Sequence, residues 1–430
     1  MEERKRKGLG STSLSIPARI AILLAVGLGI ATLVVHTSDL RPPWLTSNDF
    51  TSDYLSARVW LDGGEPYAPL PQLIDRYLGK GTPYFDISPP DQVNAHPPII
   101  VLITSPLALL PYKAARTLWF VLVAGLTVIA TWLIARGLKL ERSIAAALSL
   151  GVLALPVSQM NFQIGQWNAF MFIPLVCAWL SMKRGHDALA GTLLGLATAL
   201  RFFPAFLMIP LLRERRYRAF VWQALVAFGA SAIGVLFIGL HSTHVFASSV
   251  GRDTAFWRAH PGNVSLLGDV YRWFQPSIWR PDAFHLSWLA LILAILAVGL
   301  CVAGAATTPS RTAGDLYWQS VPWMLLAAPL SWQSYEVLVF PLLLVAVERA
   351  RRAGSMPPLT LLLGTALVVG STPRGIATSI GGHISNLRWL ALSSSTIGLL
   401  LMAASGWLPP RRVNEARAQA PQRPDVAAPL

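Results

Sequence analysis

Apolar residues run along this chain in long unbroken blocks rather than in alternation. Ile20–Val35, Leu118–Ile134, Ala219–Leu240, Leu286–Val302 and Pro357–Gly370 are each near, or a little under, the ~20 residues a helix needs to cross hydrocarbon. Barrel strands would alternate apolar and polar positions, so the blocks predict helices. Short basic clusters separate them: ERKRK near the start, RGLKLER, MKRG, RERRYR, ERARR, and RR after Pro410. Clusters of this kind mark the inner loops of a membrane protein. The pattern predicts an all-α, polytopic transmembrane helix bundle of roughly twelve passes, with both termini inside.

Placing the clusters inside puts the polar stretches His36–His96, Asn161–Asn168, His241–His285, Ser331–Ser334 and Ser371–Arg388 outside. Pro97–Pro111 is too short to span comfortably and reads as re-entrant or half-buried. The expected organisation is an inner tail over 1–16, one membrane domain over 17–408 with a long first outer loop at 36–96, and a disordered inner tail over 409–430. The first apolar block follows a basic segment like that of a signal peptide, but no small-x-small cleavage site follows it, so it is read as an uncleaved helix. There is no internal repeat and no soluble second domain.

Composition agrees with the pattern. Of 430 residues, 53% are hydrophobic and only 13% charged, about half the charge of an average soluble protein. The net charge of +14 lies in the short inner clusters, which argues against nucleic acid as a partner and for membrane lipids. Cys177 and Cys301 fall in apolar blocks and read as small core residues.

Against that background two polar features stand out. Asp49, Asp53, Asp62 and Glu65 crowd into SNDFTSDYLSARVWLDGGEPYAP, just past the first apolar block. Tyr54, Ala57, Arg58 and Leu61 share a helical face, which suggests an amphipathic helix on the outer membrane surface. The stretch is either a solvated loop or a carboxylate presented as base or ligand. The i, i+4 spacing of Asp49 and Asp53 is a weak divalent-cation signal. The second feature is Arg201, in DALAGTLLGLATALRFFPAFLMIPLL between two inner basic clusters. A break at Pro204 would put Arg201 near the outer half of the bilayer, where a charge is costly unless paired. It either holds an anion through its planar fork or snorkels to a headgroup or carboxylate. No Walker loop, dinucleotide fingerprint, HExxH or serine nucleophile elbow is present.

Six stretches, in order, resemble the glycosyltransferases of family 87, GT-C-type membrane enzymes that use polyprenyl-phosphate sugars. They are NDFTSDYLSARVWLDGGEPY, HPPIIVLITSPLALLP, GQWNAFMFIPL, LAGTLLGLATALRFFPAFLMIPLLRERRYRA, PGNVSLLGDVYR and APLSWQSYEVLVFPLLL. The resemblance implies a GT-C-like helix bundle. It also implies transfer of a sugar (mannose favoured, arabinofuranose possible) from a polyprenyl-phosphate donor to a cell-envelope glycolipid or polysaccharide hydroxyl. The reaction would invert the anomeric centre at the outer face of a bacterial plasma membrane, with no cofactor and no metal. By the same resemblance Asp49 is the general base, and Arg201, Asp53, Tyr54, Gln166, Asn168, Asn263, Ser265 and Trp332 bind the donor or substrate. There are two departures from the family pattern: Arg201 stands for a lysine, and Ser334 and Tyr335 stand for paired histidines. Outer-edge aromatics such as Trp44, Trp60, Trp167 and Trp332 are expected to line a lipid groove or anchor the interface. The competing reading is a polytopic transporter or lipid flippase, which would show matched discontinuous segments near the midplane; only one discontinuity is evident.

Overall fold

In the computed structural model, residues 16–40, 49–82, 91–309, 315–370, 392–408 and 411–412 are described. Trp44, the stretch 371–388 and most of both tails lie outside the described residues. The protein is all-α. The N-terminal part runs α1 (Ile16–His36), α2 (Asp49–Leu61), α3 (Leu70–Tyr77), α4 (Pro98–Ala108), α5 (Tyr112–Gly137) and α6 (Arg142–Gly151). The middle runs α7 (Pro156–Ile164), α8 (Asn168–Lys183), α9 (Asp187–Leu200), α10 (Met208–Arg213), α11 (Tyr217–Ile238) and α12 (Leu240–Trp257). The remainder is α13 (Leu266–Phe274), α14 (Ser287–Thr307), α15 (Asp315–Ala327), α16 (Phe340–Arg352), α17 (Leu359–Gly370) and α18 (Ser394–Ala404).

Four of the described helices, α1, α5, α11 and α14, are long and apolar enough to cross a membrane, or five spans if α6 and α7, bent by 61°, count as one. The basic clusters predict roughly twelve passes. The difference has a physical cause in proline. Pro156 opens α7 after the bend and cuts the apolar stretch there into shorter helices, and Pro204 lies in the 3-10 turn between α9 and α10, where the sequence predicts a break. The α11 and α14 surfaces carry exposed Leu225, Phe228, Leu236 and Phe237, and Trp288, Ile295 and Leu296. Large exposed apolar faces of this kind suit lipid contact.

Three helices cross with almost no side chain between them. A Cβ on Gly195 of α9 would stand 2.7 Å from Val226 Cβ and 2.8 Å from the Gln223 carbonyl of α11. One on Gly234 of α11 would stand 2.6 Å from the Ile99 nitrogen of α4. Small residues permit this approach, as is common between helices in lipid. Gln223 Nε2 also donates to Pro204 O at 3.1 Å and to Thr198 Oγ1 at 3.2 Å, satisfying a carbonyl freed by the break after α9. The end of α9 and the start of α4 are thereby held to one body.

One correction concerns the outer loop, and one observation the tail. α2 does not lie on a surface: Phe50, Thr51, Asp53, Tyr54, Leu55, Ser56, Ala57 and Val59 are buried. Its outward-reading face is taken up, since Tyr54 and Arg58 donate to the carbonyls of Leu110 and Ala108 at the end of α4. In the tail read as disordered, Arg411 and Arg412 pair antiparallel with Met356 and Ser355.

Basic residues from the clusters between the apolar blocks meet at one end of the bundle. Lys183 donates to Gly137 O, Arg216 to Met182 O and Asp187, Arg352 to Leu138 O, and Arg213 to Thr308 O. Each caps a carbonyl at or near a helix C-terminus, where cations are favoured.

Candidate active site

α2 opens with Asp49 in its first turn, where the helix dipole favours an anion. One turn later Asp53 shares the face but is fully buried. Three donors hold it: Trp167 Nε1 at 2.7 Å, Asn94 Nδ2 at 3.0 Å and His96 Nδ1 at 2.6 Å. With its oxygens engaged this way, the i, i+4 carboxylate pair serves a histidine rather than a cation. His96, itself buried, turns Nε2 toward Asp49 Oδ2 at 3.6 Å, within ion-pair reach but longer than a hydrogen bond.

The turn between α7 and α8 delivers two of these partners. Gly165 ends α7 in the left-handed region (φ 72°), and its N–H donates to Asn161 O. A Cβ there would stand 2.7 Å from Phe50 Cβ, so both the turn and the approach to α2 require glycine. Gln166 then faces Arg201 and Trp167 faces Asp53. Asn168 turns back to lock the turn, donating to Asn161 Oδ1 at 2.6 Å, while Asn161 donates to Ser334 O at 2.9 Å.

Arg201 leaves the helix as α9 ends, with extended backbone. Its Nη2 donates to Asp49 Oδ2 at 3.4 Å and to Gln166 Oε1 at 3.2 Å. Its guanidinium stands 5.6 Å from the Tyr335 ring centroid, and Tyr335 stacks on Phe203. Its Nε is buried and has no hydrogen-bond partner among the described residues. Asp49 retains 29% side-chain exposure and Arg201 15%, so the pair is the open end of an otherwise buried constellation.

The charges set each other's protonation. Burial works to raise the Asp49 carboxyl, but the attraction of His96 and Arg201 outweighs it and holds the group below its ordinary value. For His96, burial and Arg201 favour the neutral ring, but Asp53 and Asp49 prevail and raise it above the ordinary histidine value.

Of the site residues expected from sequence, the structure brings together Asp49, Asp53, Gln166 and Arg201. Tyr54 packs on Phe50 and Tyr112 and spends its hydroxyl on Leu110 O. Asn263 is fully buried, bonded to Arg258 O, Pro329 O and the Ser265 and Ser331 nitrogens. Ser265 caps α13 through Gly268 N. Trp332 sits in an aromatic cluster with Trp257 and His260. These four shape the surrounding loops and form no hydrogen bond to Asp49 or Arg201. Sequence reasoning misses His96 and Asn94, and it reads Trp167 only as an outer-edge aromatic. The one signal for His96 is its place at the head of the HPPIIV stretch.

An all-helical bundle with apolar outer faces carries a half-open carboxylate and guanidinium, an arrangement that suits a membrane-embedded enzyme. The sequence matches the model of glycosyltransferase family 87 over residues 94–329, more than half of the chain. The chain belongs to that family and is a glycosyltransferase. It is also 24% identical over 303 residues, 68% of this chain and 69% of the relative, to the polyprenol-phosphate-mannose-dependent alpha-(1-2)-phosphatidylinositol pentamannoside mannosyltransferase of Mycolicibacterium smegmatis. No solved structure matches.

Proposed function

We propose that this enzyme moves a mannosyl residue from a polyprenyl-phosphate carrier to a hydroxyl of an envelope glycolipid or glycan, with inversion, at the outer face of a bacterial plasma membrane. The observation that carries the reading is the half-open Asp49–Arg201 pair with the unpartnered Nε–H of Arg201 beside it. The donor phosphate replaces Asp49 as the partner of the guanidinium fork, which suits a tetrahedral oxyanion. Asp49, freed of one cation, becomes a stronger base and takes the proton of the acceptor hydroxyl as its oxygen attacks the anomeric carbon. The phosphate then leaves with its negative charge opposite Arg201. Neither cofactor nor metal is required by these steps. The relative's donor and glycolipid acceptor support the choice of mannose and of acceptor class. The shorter apolar helices, paired or half-crossing, would bring the count toward roughly twelve passes, with the basic end inside.

The test is transfer from synthetic polyprenyl-phosphate mannose to extracted envelope glycolipids by the purified enzyme in lipid nanodiscs, with the product's anomeric configuration read by NMR. Asp49→Asn keeps the shape and loses the base, so activity should fall at least about a hundredfold, the lower end for a positioned general base. Transfer from polyprenyl-phosphate arabinose instead would change the sugar. Undiminished transfer by the Asp49→Asn variant would remove Asp49 from the role of base.

A further inference from the structure

His96 stands between two carboxylates, and the partners of one of them define which nitrogen of the ring carries a proton. Asp53 accepts from Trp167 Nε1, a group that only donates. It also accepts from Asn94 Nδ2, and the orientation of that amide is fixed because Asn94 Oδ1 accepts the His96 backbone N–H at 3.0 Å. Asp53 is thus an acceptor on every side, and the 2.6 Å contact places a hydrogen on His96 Nδ1. In the neutral ring Nε2 then carries a lone pair, and what it faces is Asp49 Oδ2. Two lone pairs in that position attract only when one proton lies between them.

We infer that His96 is the proton relay behind Asp49: the carboxylate takes the acceptor's proton, and His96, oriented by Asp53, receives it on Nε2. The inference rests on Asp49 as the base of the proposed transfer. The balance is simple. The acceptor O–H breaks as its oxygen bonds to the anomeric carbon, the anomeric C–O bond breaks with its electron pair going to the phosphate, and the proton ends on the imidazole. Asp53 acts as an aspartate does behind a catalytic histidine, fixing the tautomer and stabilising the imidazolium. His96 is a positioning residue, since it reaches the substrate only through Asp49.

The groups facing the ring are Asp49 and Asp53 from α2, Arg201 from the break after α9, and Tyr67, whose hydroxyl donates to the His96 carbonyl. Tyr335 lies beyond them, against Arg201. Asp49 and His96 are coupled through their charges and titrate as a pair. At low pH the imidazolium is already filled and Asp49 remains a weak base. As pH rises through the raised value of His96 the ring empties and the relay opens.

The test is the pH dependence of kcat/KM for the full-length enzyme in nanodiscs with synthetic polyprenyl-phosphate mannose. The wild-type acid limb should lie above ~6.5, the ordinary histidine value. His96→Asn keeps a donor near Nδ1 for Asp53 but has no Nε2. Its plateau should fall about ten- to a hundredfold, toward the lower range of acid–base contributions, and its acid limb should move down toward the carboxylate range near ~4. His96→Gln, which places an amide near Nε2 that does not titrate, should show the same displaced limb and serves if the Asn variant does not fold. A limb left where the wild type has it, with or without a lower plateau, reduces His96 to a cross-link between α2 and the segment before α4 and overturns the relay. An active Asp49→Asn variant would instead overturn the base itself, and the relay with it.

Discussion

Arg201 has fewer partners than its surroundings would allow. It shares one nitrogen between Asp49 and Gln166 and leaves Nε buried without a partner among the described residues. A guanidinium that only neutralised Asp49 would be replaceable by any cation at that spot. One that clamps a phosphate needs its fork. Arg201→Lys should therefore keep folding and charge but raise the KM for the lipid donor, roughly tenfold for one lost bidentate interaction worth about 1.4 kcal/mol. Arg201→Ala should raise it further. Equal donor KM in all three proteins, by initial rates at varied polyprenyl-phosphate mannose, would return Arg201 to neutralising Asp49. Both charges were legible in the sequence because an ionised residue beside apolar blocks is expensive and must have a reason. His96 was not, because what marks it is spatial: Asp53 is 43 positions away and Trp167, which meets the same carboxylate, 114 positions from it. Asn263 is the opposite case. Its amide closes a loop through four backbone groups, a folding demand that accounts for its motif without reference to a ligand.

The site's geometry is inherited from helix crossings. Arg201 sits at the end of α9 and His96 just before α4, and both helices are drawn onto α11 at glycines. Gly195→Leu would force a side chain against Val226 and the Gln223 carbonyl, both nearer than 3.0 Å to the new Cβ. Backbone cannot yield there without separating the helices, so a loss of about 1–3 kcal/mol is expected from overpacking alone. Gly229→Ala, on the same α11, meets nothing within 4 Å and replaces the poorer helix former. Thermal melts in nanodiscs should show the first variant less stable and the second unchanged or slightly raised. The first should also lose transfer activity at temperatures where it remains folded, because Arg201 moves with α9. A Gly195→Leu protein with wild-type melting and rate would mean that this crossing does not position the site. The helix blocks α1, α5, α11, α14 and α17 were readable from apolar runs alone. The break at Pro204 was readable too, but whether one helix bends there or two form depends on what receives the freed carbonyl, here Gln223 from another helix.

At the scale of the whole molecule, charge divides the bundle. Cations from three basic loop clusters meet at one end, and the Asp49–His96–Arg201 constellation opens at the other. The positive end is expected inside, since short loops rich in lysine and arginine are retained there. The donor's charged head and the acceptor would then meet the site from the outer face. The structure also selects the probes for this orientation, because a cysteine reports sidedness only where water reaches it. Asn263 and Ser334 are fully buried and unsuited. Lys80 and Ser248 are exposed on the site's side of the bundle, and His186 is exposed between α8 and α9 at the basic end. In intact cells, cysteines at Lys80 and Ser248 should react with a membrane-impermeant maleimide, and one at His186 should react only after permeabilisation. Native Cys301 is buried and Cys177 half-buried, so the parent protein sets the background. Labelling at His186 in intact cells, with protection at Lys80 and Ser248, would invert the molecule. It would place the base and the phosphate clamp on the inner face, where donor and acceptor would both have to be presented.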